Sequence, residues 1–336
     1  MTLLLKLLGG TLVVLVAFFI AGWIVTRGDY PVAKTVAEDP SLPSIEIDGY
    51  RFHGETFGDQ GKPVVVVVHG GPGWDYRSLL PLKALADDYF VVFYDQRGTG
   101  LSPRVAAEQL TLDSTLNDLD MIIDLFRGEG RVSLIGHSWG AMVVTAYLGR
   151  APAKVSHAVL AEPGFLTPET FRLAGVHMGP RWEGGYLWFV AGKWFESLHI
   201  DGPDGEAAKD YFLAEAAAAA NPEYYCGGMI PEAATRRWRA GSTAMGAIVK
   251  PFMDGKGGLT LDLTQGLQNF KPPVLLLASE CNALIGIEQQ RRHQRFFNES
   301  RLEIIPRSGH MMLTEQAELS LQAIRGYLAE QHDGGR

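Results

Sequence analysis

Five consecutive valines, Val64–Val68, constrain this chain more than any other feature. A β-branched run with no polar residue on either face cannot be a strand with one side in water. It fits a strand buried on both faces, as in parallel sheets covered by helices above and below. Further apolar runs follow at Tyr89–Tyr94, Arg131–Ile135, Val155–Ala161, Val274–Ala278 and Leu302–Ile305. Between them, helical spacing is found at Leu79–Ala86, Leu116–Phe126, Ala141–Leu148, Glu288–Phe297 and Leu313–Glu330. Ser44–Asp48 and Tyr50–Glu55 form an expected hairpin ahead of this series. Alternating strands and helices predict an α/β domain around a mostly parallel sheet.

The alternation stops between Phe165 and Gly266. That stretch has helix-like pieces, many aromatics and no clear buried strand, so it is expected to be a helical insertion or lid. The predicted organisation is therefore an N-terminal anchor at 1–26, a linker at 27–43, core at 44–164, lid at 165–266 and core at 267–336. The anchor rests on Leu7–Val25, which holds no charged residue and is about as long as a 30 Å hydrocarbon core requires. A cleaved signal would have a shorter apolar region and a small-x-small site, so an uncleaved transmembrane helix is preferred. Lys6 lies before it and Arg27 and Lys34 after, which nearly balances the positive-inside count; the extracytoplasmic side is preferred for the domain. Pro31, Pro40 and Pro43 predict an extended, solvated linker.

A net charge of −8 offers no basic footprint for nucleic acid. The two cysteines, Cys226 and Cys281, match no metal spacing; of a disulfide and two buried free thiols, the thiols are expected. No dinucleotide fingerprint occurs either, and no cofactor is expected.

Gly136-His137-Ser138-Trp139-Gly140 lies between a predicted strand and a predicted helix. In that context G-x-S-x-G makes a tight elbow that lifts a serine Oγ off the strand end. His69-Gly70-Gly71-Pro72-Gly73 follows the valine strand, and its glycines let backbone approach a substrate. The N–H groups of Gly71 and Trp139 are the expected oxyanion hole. Ser308-Gly309-His310 follows a late strand, and His310 supplies the base that a neutral serine hydroxyl needs. His69 is expected to shape its loop, and His137 to turn away without a role.

These motifs, with Asp95-Gln96-Arg97-Gly98-Thr99-Gly100-Leu101-Ser102, resemble the proline iminopeptidase branch of the α/β hydrolases over about residues 50–160 and 270–330. The resemblance implies the α/β-hydrolase fold and acyl transfer through Ser138, on a small amide or short peptide with a free N-terminus. In that family lid glutamates bind the amine; Glu183, Glu196, Glu223 and Glu232 lie in the insertion here. Esterases share the same loops, so a carboxylesterase or lactonase is the alternative, and a non-catalytic binding protein is an alternative of another class. A serine at the elbow disagrees with epoxide hydrolysis, which in this fold uses an aspartate. Asp95, Arg97 and Ser102 are expected to brace the site, the first two as an ion pair. His53 and His199 are taken as surface or core residues.

One position departs from the family. Its acid normally follows the strand Val274–Ala278, where Asn282 matches it. An amide there costs about 10⁴ in turnover in a serine protease. Glu280, two residues away, and Glu162, at the end of the preceding strand, are the other candidates. Glu162 is preferred, because some haloalkane dehalogenases carry a glutamate acid at that strand end, and both ends open on one edge.

Overall fold

A computed structural model describes residues 2–175, 184–218 and 221–330. The elements run α1 (Thr2–Val25), β1 (Ser44–Ile47), β2 (Tyr50–Phe57), β3 (Val64–Val68), β4 (Phe90–Tyr94), α2 (Leu112–Phe126), β5 (Val132–His137), α3 (Trp139–Arg150) and β6 (Val155–Ala161). The insertion carries α4 (Pro168–Ala174), α5 (Gly184–Ser197), α6 (Ala207–Ala218), α7 (Glu232–Thr235) and α8 (Ser242–Val249). Then come β7 (Val274–Ser279), α9 (Ile287–Gln294), β8 (Ser300–Ile305), α10 (Met312–Glu315) and α11 (Ala317–Glu330).

The strands form one sheet in the order β1-β2-β4-β3-β5-β6-β7-β8. β1 and β2 are an antiparallel hairpin, and β2 runs antiparallel to β4. Every pairing from β4 through β8 is parallel. The valine strand sits at the centre with all five residues buried, and alternate valines feed two apolar clusters on opposite faces. Each fully buried valine is worth roughly 1.5–3 kcal/mol relative to exposure. The order reverses at β3, since the next two strands of the chain, β4 and β5, lie on opposite sides of it. In open α/β sheets a crevice forms at such a switch, beyond the carboxyl ends of the strands. Six loops, from β3 through β8, open on that edge.

Four expectations are corrected. Residues 77–87 form a 3₁₀ run rather than an α-helix; Pro81 lies inside it, and its ring would clash with the carbonyl four residues back in an α-helix. The last helix is split into α10 and α11. The segment 27–43 is not freely solvated: Thr35 and Val36 are fully buried, and Val36 N–H donates to Leu101 O at 2.9 Å. The transmembrane anchor is not found: among the described residues, no helix is long and apolar enough to cross a membrane. α1 does form, and its carboxyl half packs on α5, where the rings of Phe18 and Phe19 meet Phe195 at 5.7 and 5.6 Å.

Candidate active site

β5 delivers Ser138 and α3 begins immediately after it. Ser138 has φ 55° and ψ −119°, a conformation that a side chain rarely adopts and that is held here by its surroundings. Its N–H donates to Ala161 O at 2.9 Å, and its carbonyl accepts from Met142 N at 3.1 Å. The flanking glycines are sterically required. A Cβ on Gly136 would lie 2.5 Å from Gly140 O, and one on Gly140 would lie 2.0 Å from Val68 O. Ser138 is half-buried among buried neighbours.

The loop after β3 lies over this turn, and a Cβ on Gly70 would stand 3.0 Å from the Ser138 Cβ. His69 is fully buried and ties this loop to the next. Gln96 N–H donates to its Nε2 at 2.9 Å, and its Nδ1 meets Gly70 O at 2.9 Å. Burial lowers its pKa, which suits a neutral ring with the proton on Nδ1. The Trp139 indole N–H donates to Gln96 Oε1 at 3.2 Å, closing the set. Gly71 stands in the same loop, at φ 130°.

Glu162 directly follows β6 and is fully buried, with φ 46°. Its Oε2 lies 2.7 Å from His310 Nδ1. The same oxygen accepts from Asn282 Nδ2 at 2.8 Å. Its Oε1 accepts from Ser279 N–H at 2.7 Å and from the Ser279 hydroxyl. With the imidazole proton on Nδ1, four donors converge on one carboxylate and Nε2 of His310 is left as the basic nitrogen. Glu280 is placed elsewhere: it is exposed and accepts from Arg307 N–H at 2.7 Å. Asn282 does not face His310 in place of an acid; it holds Glu162. Its Oδ1 accepts from the N–H groups of Leu284 and Ile285, which fixes which end of the amide donates.

Two neighbours of His310 had no sequence signal of their own. His137 Nε2 lies 2.8 Å from His310 O, with the rings 4.7 Å apart. Burial and the nearby His310 push the His137 pKa down to about 3, so its ring is neutral and Nε2–H can donate. His137 thus supports the His310 loop, a role the sequence did not indicate. Tyr224, from the insertion, stacks on the His310 ring at 4.9 Å.

The remaining candidates are structural. Asp95 does not pair with Arg97. It is buried against His53 Nδ1 at 2.7 Å and accepts from Tyr76 and Leu101 N–H. Arg97 pairs with Asp118 at 2.6 Å and lies over the Tyr50 ring. The Ser102 hydroxyl donates to Asp95 O at 2.7 Å, and His199 meets Trp23 of α1. Among the lid glutamates, Glu196 pairs with Lys193 and Glu232 with Arg236. Glu223 is exposed beside Tyr224, and Glu183 lies outside the described residues. Cys226 and Cys281 are joined as a disulfide, contrary to the expected free thiols. Among the described residues no cluster of ligands could hold a metal ion.

The chain matches the family model described as alpha/beta hydrolase family over residues 65–322, and it belongs to that family. It is 35% identical over 131 residues to a proline iminopeptidase of Heyndrickxia coagulans, covering 37% of this chain and 43% of that one. It is 34% identical over 116 residues to a cis-3-alkyl-4-alkyloxetan-2-one decarboxylase of Shewanella oneidensis, covering 33% and 36%. The matched stretch is thus less than half the length of either relative. The crystal structure of a proline iminopeptidase of Mycobacterium smegmatis superposes with a TM-score of 0.63 at 17% identity, over 88% of this chain and all of that one. The chain therefore stands among proline iminopeptidase-like hydrolases in fold.

Proposed function

We propose that this protein is a serine hydrolase that transfers an acyl group to Ser138, acting on small amides or short peptides with a free N-terminus. The observation that carries the reading is the contact between buried Glu162 and His310 Nδ1 on the edge where the strained Ser138 turn opens. Ser138 Oγ attacks the substrate carbonyl carbon as His310 Nε2 takes the hydroxyl proton. The N–H groups of Gly71 and Trp139 hold the oxygen as it becomes anionic. Glu162 holds the imidazole at Nδ1 and stabilises the imidazolium as it forms. The leaving amine takes the proton from His310, and a water then repeats the sequence to free the acyl group and restore Ser138. Preference for amides follows the proline iminopeptidase relative, and Glu223, exposed beside Tyr224, is the candidate for the substrate ammonium.

A second reading, esterase or lactonase, is favoured by the similarly matched relative named for an oxetan-2-one. Prolyl and alanyl anilides compared with short p-nitrophenyl esters separate the two. Anilide cleavage that needs a free amine supports the first, and ester cleavage alone supports the second. A fluorophosphonate that labels the wild type but not Ser138→Ala excludes a non-catalytic binding protein; no labelling of folded protein would sink both enzymatic readings.

For location, the Cys226–Cys281 disulfide supports an oxidising, extracytoplasmic compartment. α1 and α5 share an exposed apolar face that includes Val14, Phe18, Leu187 and Trp188, which supports contact with a lipid surface. Flotation of the full chain with neutral vesicles tests this, and protein left at the bottom of the gradient counts against it.

A further inference from the structure

The insertion does more than cover the site, because one of its segments forms part of the seat of His310. Residues 222–228 run as two 3₁₀ turns, Pro222–Tyr224 and Cys226–Gly228. Tyr224 O accepts from His310 N–H at 2.9 Å, and Glu223 O accepts from Ala283 N–H at 3.0 Å. The segment is therefore held at once by the loop after β8 and the loop after β7. The Tyr224 ring lies over the His310 imidazole at 4.9 Å with 24° between planes. Gly309 makes the approach possible, since a Cβ there would lie 2.5 Å from Tyr224 O. One residue beyond Tyr225, Cys226 is bonded to Cys281, whose own N–H donates to Ser308 O at 3.0 Å. The covalent bridge thus ties the lid segment to the loop whose Asn282 holds Glu162.

We infer that Tyr224 is a positioning residue for His310, and that the Cys226–Cys281 disulfide clamps it there. The inference rests on the serine-hydrolase reading above. Glu162 fixes one nitrogen of the imidazole, and the His137 ring meets the imidazole at a tilt of 38°, so neither lies flat enough to stop the ring tilting about that hydrogen bond. A flat aromatic face against the ring removes that freedom, while the Tyr224 carbonyl fixes the backbone of the same residue. The aromatic face also favours the imidazolium that forms during acyl transfer. Without the bridge, the segment would lose the one covalent tie that holds it beside His310, leaving weaker contacts such as the single hydrogen bonds from His310 and Ala283.

The test measures p-nitrophenyl acetate hydrolysis and fluorophosphonate labelling by the full chain under oxidising conditions. Tyr224→Ala should lower kcat about ten- to hundredfold, the cost of a small misplacement of a reacting group, with KM within about twofold. Tyr224→Phe should restore kcat, since it keeps the ring. Tyr224→Leu, which keeps bulk without the aromatic face, should behave like Tyr224→Ala and serves if the alanine variant does not fold. The paired Cys226→Ser/Cys281→Ser variant should lower kcat similarly, and adding Tyr224→Ala to it should cost little more, because the changes act through one element. A Tyr224→Ala enzyme with wild-type kcat, a Tyr224→Phe enzyme as impaired as the alanine variant, or fully additive losses would overturn this inference alone, provided Ser138→Ala abolishes both signals. Wild-type protein that shows no Ser138-dependent labelling overturns the hydrolase reading and this inference together.

Discussion

Glu162 Oε2 and His310 Nδ1 lie 2.7 Å apart, although the strands that deliver them, β6 and β8, are separated by β7. Glu162 takes φ 46° just past β6, and its carboxylate reaches His310 while accepting from Ser279 and Asn282, at and just past the end of the intervening β7. The intervening strand is not a bystander: Ser279 at its end and Asn282 in the loop after it fill the other acceptor positions of the carboxylate.

Glu162→Gln should therefore lower kcat by orders of magnitude, approaching the 10⁴ or so seen when a triad acid becomes an amide. The new amide NH₂ must also face groups that donate, which costs about 1–3 kcal/mol of stability if a buried donor is left unpaired. Glu280→Gln should leave kcat within about twofold, because a side chain exposed to water and bonded to Arg307 N–H does not touch the base. Steady-state kinetics on both variants, with thermal melts to confirm folding, decide it. The reverse ranking would move the acid to the loop after β7.

Asn282→Asp should impair the enzyme. The substitution replaces an N–H donor at 2.8 Å from Glu162 Oε2 with a second carboxylate. Two buried carboxylates at that distance cannot both ionise, so one keeps a proton. The outcome to look for is a lower kcat at neutral pH and a pH–rate profile with an added limb. Improved turnover would mean that the asparagine is a damaged acid rather than a partner of Glu162.

How much of this was legible in the sequence depended on whether the information was local. The valine strand, the strand at Val155–Ala161 and the elbow at Ser138 each carry their pattern within a few residues, and the structure places them where the pattern predicts. The contact of Glu162 with His310 joins residues 148 apart in sequence and depends on how two strand ends meet across a third. The sequence could therefore name the candidates without choosing by geometry. The Cys226–Cys281 bridge, 55 residues apart, was hidden for the same reason. Asp95 and Arg97 misled by proximity: the tight turn sends one inward to His53 and the other to Asp118 on α2. The apolar run at the N-terminus was plain, but its contact with α5 needed the fold of the insertion.

His137→Phe should reduce kcat several-fold to about tenfold with little change in KM, since it keeps an aromatic ring but removes a hydrogen bond of about 1 kcal/mol to the His310 carbonyl. Kinetics on p-nitrophenyl acetate read the split. An unchanged kcat would show that the carbonyl contact is dispensable, leaving His310 to be fixed by Glu162 and Tyr224.

Asp75 gives a pH signature of stability. It is buried just after the glycine loop and accepts from the N–H groups of Arg77, Trp238 and Arg239, which link it to the insertion. Burial and nearby Asp95 push its pKa up to about 7, from an ordinary value of 3.8. The folded state then holds a proton between about pH 4 and 7 that the unfolded state has lost, so this group's contribution to stability is present below that window and falls as pH rises through it. His137 and His293 act in the opposite sense. Burial pushes both down to about 3 from 6.5, so their contributions are lost as pH falls below about 6.5. The wild-type curve is the sum, and only a difference isolates Asp75. Relative to Asp75→Asn, the wild type should lose stability as pH is raised from 5 to 8, with the difference between the two melting temperatures moving by about several degrees. A difference that stays flat across that range would show that Asp75 is already ionised at pH 5, held so by its three N–H donors.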